Sequence, residues 1–270
     1  MKPLLHAGEA FFIMSYILTE IKDRIGYVIL NRPDKRNALN AEFVSELKQS
    51  IQTFEDNAGV RAIIIKSSGK VFCAGADLAY LQQLQSNTYE ENLQDSENLA
   101  HLFKQIYICS KPIISMVNGP ALAGGCGLAT VCDICFATPS STFGYTESRI
   151  GFIPAIVFVF LRKKIAETHV KKLLFTGEII SASHALSLGL ISEITEASDF
   201  EKYVHQWTVN LIENSSGNSL SSLKQMYNSI DGLTLEESLK YACEMNAKTR
   251  ESSDCKSGIA AFLNKQIIKW

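Results

Sequence analysis

Short β-branched runs alternating with amphipathic helical stretches constrain this chain more than any other feature. Residues 27–30, 62–66 and 113–117 read as buried strands. Between the first two, Asn40 is placed to cap a helix whose apolar positions Phe43, Leu47, Ile51 and Phe54 recur at spacings of four, four and three. Between the second and third, Leu99, Leu102, Phe103 and Ile106 mark another helix, which must end before Pro112. Strand, helix, strand, helix, strand implies an α/β core. Farther on, Ser181 starts a short helix stopped near Gly189, and residues 191–194 read as a returning strand. A polar loop at 214–219 precedes an all-helical end, in which Thr234 and Glu237 form a capping box. The expected division is a leader at 1–13, disordered or an upstream start, a core at 14–214 and a helical region at 215–270.

Composition narrows the function classes. A net charge of −2 lacks the basic excess of a phosphate-backbone binder, so nucleic acid is not an expected partner. No run of about 20 apolar residues is present, so no membrane span is expected. Seven cysteines form no disulfide-framework spacing, which favours a reducing, cytoplasmic setting. Cys132 and Cys135 make a lone C-x-x-C inside an apolar run and read as buried thiols. The five histidines fall outside the glycine-bearing segments, and no metal is expected.

Three glycine-bearing segments carry the candidate chemistry. In Ala74-Gly75-Ala76-Asp77, small residues uncover backbone N–H groups beside a residue suited to start a helix. Such orphan N–H groups attract a negative oxygen, although a plain capped helix would use the same residues. In Asn118-Gly119-Pro120-Ala121-Leu122-Ala123-Gly124-Gly125-Cys126-Gly127-Leu128, a strand ends, a turn follows and glycines open a helix. Each glycine there weakens a helix by roughly 1 kcal/mol relative to Ala, so close approach of a ligand or of another backbone should offset it. No Lys-Ser/Thr follows, which excludes a P-loop. In the third segment, 142–154, Glu147 lies between apolar stretches. Burial would raise its pKa and suit it to general acid or base work; pairing with Arg149 is the alternative.

Together these segments resemble the enoyl-CoA hydratase/isomerase (crotonase) superfamily. Asn31-Arg32-Pro33…Asn37-Ala38-Leu39, Ala74-Gly75-Ala76-Asp77, Asn118-Gly119…Gly124-Gly125-Cys126 and Phe143-Gly144…Glu147 stand in the family's order. Thr176-Gly177…Ala185…Gly189-Leu190 and Asp254…Gly258…Phe262…Lys265 follow. The resemblance implies a spiral of β-β-α units with a C-terminal helical trimerisation region, assembled as a homotrimer or homohexamer. It implies an acyl-CoA thioester as substrate, with CoA part of that substrate and no separate cofactor. The N–H groups of Ala76 and Gly124 would hold the thioester oxygen as it becomes an enolate, and Glu147 would move the proton. CoA would lie near Lys35, Arg36, Ala74, Ala76 and Asp77, with Phe262 and Lys265 reaching a neighbouring subunit's CoA from one shared helical face.

The chain also departs from the family. Two-glutamate hydratases carry a second carboxylate twenty residues before Glu147, and Gly127 stands there. A glycine-rich loop after Ile-Pro is replaced by Ala155-Ile156-Val157-Phe158, which implies a more apolar, more rigid wall. The implied activity is hydration of a 2-enoyl-CoA in fatty-acid or branched amino-acid breakdown, a branched methylglutaconyl-type acyl group being among the candidates. A Δ3,Δ2-enoyl-CoA isomerase using one Glu and a non-catalytic acyl-CoA-binding trimer are the alternatives.

Overall fold

A computed structural model describes residues 15–196 and 198–270. The leader expected at 1–13 lies outside the described residues.

The chain climbs in repeated turns, each laying a strand in a large sheet, a shorter strand or bridge in a small one, and then a helix. Strands β1 (Ile17–Lys22) and β2 (Ile25–Leu30) form an antiparallel hairpin that leads into α1 (Ala41–Asp56). The next turn holds β3 (Ala62–Ser67), α2 (Leu78–Leu84) and α3 (Tyr89–Ile108). The third holds β4 (Ile113–Val117), β5 (Ala121–Leu122) and α4 (Gly124–Val131). The fourth holds β6 (Ile134–Ala137), β7 (Thr142–Gly144), a 3-10 turn Glu147–Ile150, α5 (Ala155–Lys164) and α6 (Glu167–Thr176). After β8 (Ile179–Ser181), α7 (Ala182–Ser187) and β9 (Glu193–Ile194), helices α8 (Phe200–Asn214), α9 (Gly217–Ser229), α10 (Leu235–Glu251) and α11 (Ser253–Leu263) end the chain. The α/β spiral and C-terminal helices implied by the resemblance are both present.

The large sheet runs β1-β2-β3-β4-β6-β9, parallel after the first pair. Strands β2, β3 and β4 read as near-continuous apolar runs because both of their faces are covered, whereas the edge strand β1 is exposed after Ile17. Ile63 and Ile65 pack toward α1 and α3, whereas Ala62 and Ile64 pack toward Phe200, Val204 and Ile212 of α8. Helix α8 thus already belongs to the sheet's packing, and the polar loop near 215 follows it. Asn40 accepts from the Phe43 N–H, and the helix it starts buries Phe43, Val44, Leu47, Ile51 and Phe54. Each of those side chains contributes roughly 1.5–3 kcal/mol on transfer from water. The Thr234–Glu237 capping box is formed in both directions. The returning strand is shorter than expected, and residues 191–192 precede it.

Candidate active site

The small sheet, β5-β7-β8, lies beyond the carboxyl ends of the parallel strands and stitches the three glycine-bearing segments together. Cys73 bridges to Ala121, and its carbonyl accepts the Leu122 N–H at 2.9 Å. Ala121 and Leu122 pair in parallel with Phe143 and Gly144, and the Ala123 N–H donates to the Gly144 carbonyl at 2.7 Å. Ala76, Gly124 and Glu147 therefore follow the ladder on three successive turns of the spiral.

Ala76 bridges to Leu39 through its neighbours: the Leu39 N–H donates to Gly75, and the Asp77 N–H donates to Leu39. That arrangement turns Ala76's own N–H away from Leu39. Gly124 opens α4, so its N–H has no partner in the preceding turn. Among the described residues neither N–H donates to a backbone oxygen. The two stretches touch: a methyl placed on Gly75, whose φ is +93°, would stand 2.8 Å from Ala123 Cβ and 3.7 Å from the Gly124 nitrogen. Ala123 holds φ +50° and ψ −129°, a conformation that strains a residue with a Cβ and costs of order 1–3 kcal/mol. Gly125 is required by close approach, since a Cβ there would lie 2.3 Å from the Cys73 carbonyl oxygen. Two unengaged N–H groups beside a helix start form a donor pair suited to a developing oxyanion.

This wall is fixed from behind. Asn37, fully buried with φ +53°, donates to the carbonyls of Val71 and Phe72 and accepts the Arg32 N–H. Arg32 pairs with Asp77 at 2.7 Å and also donates to the Ala38 carbonyl. Asp77 caps α2 through the N–H groups of Ala79 and Tyr80. Burial pushes the Asp77 carboxyl up, but the Arg32 hydrogen bond and the cap N–H groups together hold it below the usual carboxylate range. Asp77, expected near CoA, thus spends its carboxylate on Arg32 and the helix start. Sequence reasoning gave Arg32 and Asn37 no role; Arg-Pro at the entry to a turn, followed by an Asn able to take positive φ, was the available signal.

Glu147 opens the 3-10 turn after β7. Its Oε2 is buried without a hydrogen-bond partner, and burial pushes its carboxyl above the ordinary glutamate range, offset in part by its own backbone N–H. Pairing with Arg149 does not occur, for the Arg149 Nε points to the Thr176 carbonyl at 3.5 Å. The burial does not come from the whole apolar run after it: Ile150, Phe152 and Ile153 face outward. Behind Glu147, the buried Tyr145 hydroxyl meets Thr130 Oγ1 of α4 at 3.0 Å. At Gly127 there is no room for a side chain, because a methyl placed there would stand 2.1 Å from Val157 Cγ1 and 2.9 Å from Phe103 Cε1.

Lys35 and Arg36 are exposed beside Ala74, whose N–H donates to the Arg36 carbonyl at 3.0 Å. Phe262 is 82% exposed. Lys265 lies past the end of α11 with φ +54°, so the expected common helical face does not form. The chain turns back after Leu263, and Trp270 anchors it to Glu213 and Arg24 at the amino-terminal edge of the sheet. The candidate site stands at the opposite, carboxyl edge. Two cavities, of about 350 and 360 Å³, also lie at the amino-terminal edge, and neither is lined by Ala76, Gly124 or Glu147. Cys132 and Cys135 are buried thiols, pushed up by burial to about 12 and about 11. Among the described residues no cluster of three His, Cys, Asp or Glu could hold a metal ion, and no helix is long and apolar enough to cross a membrane.

The sequence pattern of the enoyl-CoA hydratase/isomerase family matches residues 20–270. A Thermus thermophilus protein assigned as an enoyl-CoA hydratase is 37% identical over 245 residues, covering 91% of this chain and 96% of that one. The mitochondrial enoyl-CoA hydratase of Pongo abelii is 31% identical, covering 93% and 86%. A Legionella pneumophila crystal structure described as an enoyl-CoA hydratase/isomerase (crotonase) superposes with a TM-score of 0.87 at 33% identity, covering 94% and 98%.

Proposed function

The chain belongs to the enoyl-CoA hydratase/isomerase family, and from that premise we propose that it hydrates a 2-enoyl-CoA with Glu147 as its only acid/base. Glu147, with Oε2 buried and without a partner on the turn that follows the strand paired to the Gly124 segment, carries this reading. Water's oxygen bonds to C3 as Glu147 takes one of its protons. The displaced electron pair moves to the thioester oxygen, where the Ala76 and Gly124 N–H groups stabilise the enolate. The proton then passes from Glu147 to C2. We assign the CoA portion to Lys35, Arg36, Ala74 and the loop to Asp77 on the strength of the resemblance, and the exposure of Lys35 and Arg36 beside Ala74 supports it.

One observation favours a second reading. The hydrocarbon packed over Gly127 suits Δ3,Δ2-enoyl-CoA isomerisation, in which one carboxylate moves a proton from C2 to C4 and no water is needed. Turnover of 2-enoyl-CoA to the 3-hydroxyacyl product supports hydration; conversion of 3-enoyl-CoA alone supports isomerisation. CoA-ester binding with turnover of neither would leave a non-catalytic binding protein. A panel of straight and branched acyl groups, methylglutaconyl included, would define the acyl class.

We also infer assembly as a homotrimer or homohexamer. Helices α9, α10 and α11 bury no side chain completely, and Leu235, Leu239, Ile259 and Leu263 are exposed. A second subunit covering them would bring Phe262 and Lys265 toward a neighbour's CoA. Seven unpaired thiols fit a reducing compartment, which we take to be the cytoplasm.

A further inference from the structure

We propose that Val157, backed by Phe103, is the residue that restricts this site to one carboxylate and so determines how protons move in it. The inference rests on Glu147 being the acid/base. Gly124 and Gly127 are three apart on α4 and share one face of it. The Gly124 end carries the free N–H. The Gly127 end is covered, because a Cβ there would meet Val157 Cγ1 at 2.1 Å, Val157 Cβ at 2.9 Å and Phe103 Cε1 at 2.9 Å.

One turn farther along, Thr130 Oγ1 lies 3.4 Å from the Gly127 carbonyl and 3.0 Å from the Tyr145 hydroxyl, two residues before Glu147. This hydrogen bond ties α4 to the segment that carries Glu147. Val157 and Phe103 are buried, and their hydrocarbon offers neither a water molecule nor a second acid any hydrogen-bond partner. Proton traffic is left to Glu147 alone. No contact within the α4 stretch would produce this; it depends on where α5 delivers its third residue.

The test compares Gly127→Glu, Val157→Gly and the double variant by thermal unfolding and by the pH dependence of kcat/KM. Gly127→Glu alone is expected to lose most of its folded population. Adding Val157→Gly should recover much of the folding, because it removes both Val157 atoms, including the closest, and leaves only Phe103 Cε1 at 2.9 Å. The recovered double variant should show a second carboxylate ionisation in its pH profile, since two carboxyls sharing a pocket titrate apart. Its hydration rate should rise about tenfold over Val157→Gly, below the 10²–10⁴-fold contribution of an evolved proton-transfer group. Val157→Gly alone should keep a single ionisation.

Wild-type stability in Gly127→Glu would overturn the proposal. So would a double variant that stays unfolded while Val157→Gly folds, or one that folds with one ionisation and no gain. Full turnover in Glu147→Gln would instead remove the reading of the site, leaving the rescue of folding intact. The two failures are thereby distinguishable.

Discussion

The two walls of the candidate site are built on opposite principles. The wall carrying Ala76 and Gly124 is heavily bonded: Asn37 makes three hydrogen bonds, Arg32 pairs with Asp77, and backbone bridges join Leu39 to Ala76 and Cys73 to Ala121. The wall carrying Glu147 is sparingly bonded, with an orphan Oε2 and Val157 and Phe103 packed nearby at Gly127. Donors that stabilise developing charge act best when already fixed in place, because reorientation during the reaction would cost energy. A proton-transfer group works best when its pKa approaches the working pH, and poor solvation raises a carboxyl in that direction. Rigidity serves one wall and isolation the other.

The largest expected effect tests the isolated wall. Glu147→Gln should lower turnover by about 10²–10⁴-fold while Kd for the CoA ester changes little, as steady-state and binding assays would reveal. Full activity would mean that the two walls do not divide the work in this way.

Arg32→Ala tests the bonded wall. Removing it leaves Asp77 with its two cap N–H groups but no cation, and the loss of stability should be about 2–3 kcal/mol in chemical denaturation, below the cost of an uncompensated buried charge. Because folding holds the Asp77 carboxyl low, its contribution is complete above the unfolded value of about 3.9 and fades as pH falls through the lower folded value. The deficit of Arg32→Ala should therefore shrink in strong acid. A constant deficit would assign it to lost packing of the Arg32 side chain.

Glu147→Gln should also stabilise the fold at neutral pH, by about 1 kcal/mol, since it removes a poorly solvated charge. The sign is opposite to that for Asp77. Folding raises the Glu147 pKa, so wild type loses stability as pH rises through the folded value, whereas below the unfolded value of about 4.3 both states are protonated. The gain should vanish there, and a gain that persisted would come from something other than the charge.

The smallest effect concerns a contributor outside both walls. Lys265→Ala should weaken CoA-ester binding by about 1 kcal/mol, roughly fivefold in Kd, with unfolding unchanged. Unaltered affinity would confine binding to the two walls of one chain.

Much of this architecture was legible along the chain because its signals are local. Asn40, Ser181 and Thr234 cap helices through N–H groups only three residues away, and apolar spacing marks the buried face of α1. The resemblance carried by the ordered motifs named Ala76, Gly124 and Glu147 as candidates. Small strands such as β5 and β7, two and three residues long, carry too little pattern to be read in advance, yet they hold the three segments together. What surrounds the carboxylate was decided only by tertiary structure. Glu147 and Arg149 are near in sequence and do not pair, whereas Gly127 and Val157 are thirty positions apart and compete for the same space. Charge pairing and excluded volume depend on which atoms meet, and meetings between separate turns of a spiral leave no period in the sequence. The candidate residues were thus nominated by local motifs, and the electrostatic and steric surroundings of Glu147 and Gly127 came from packing.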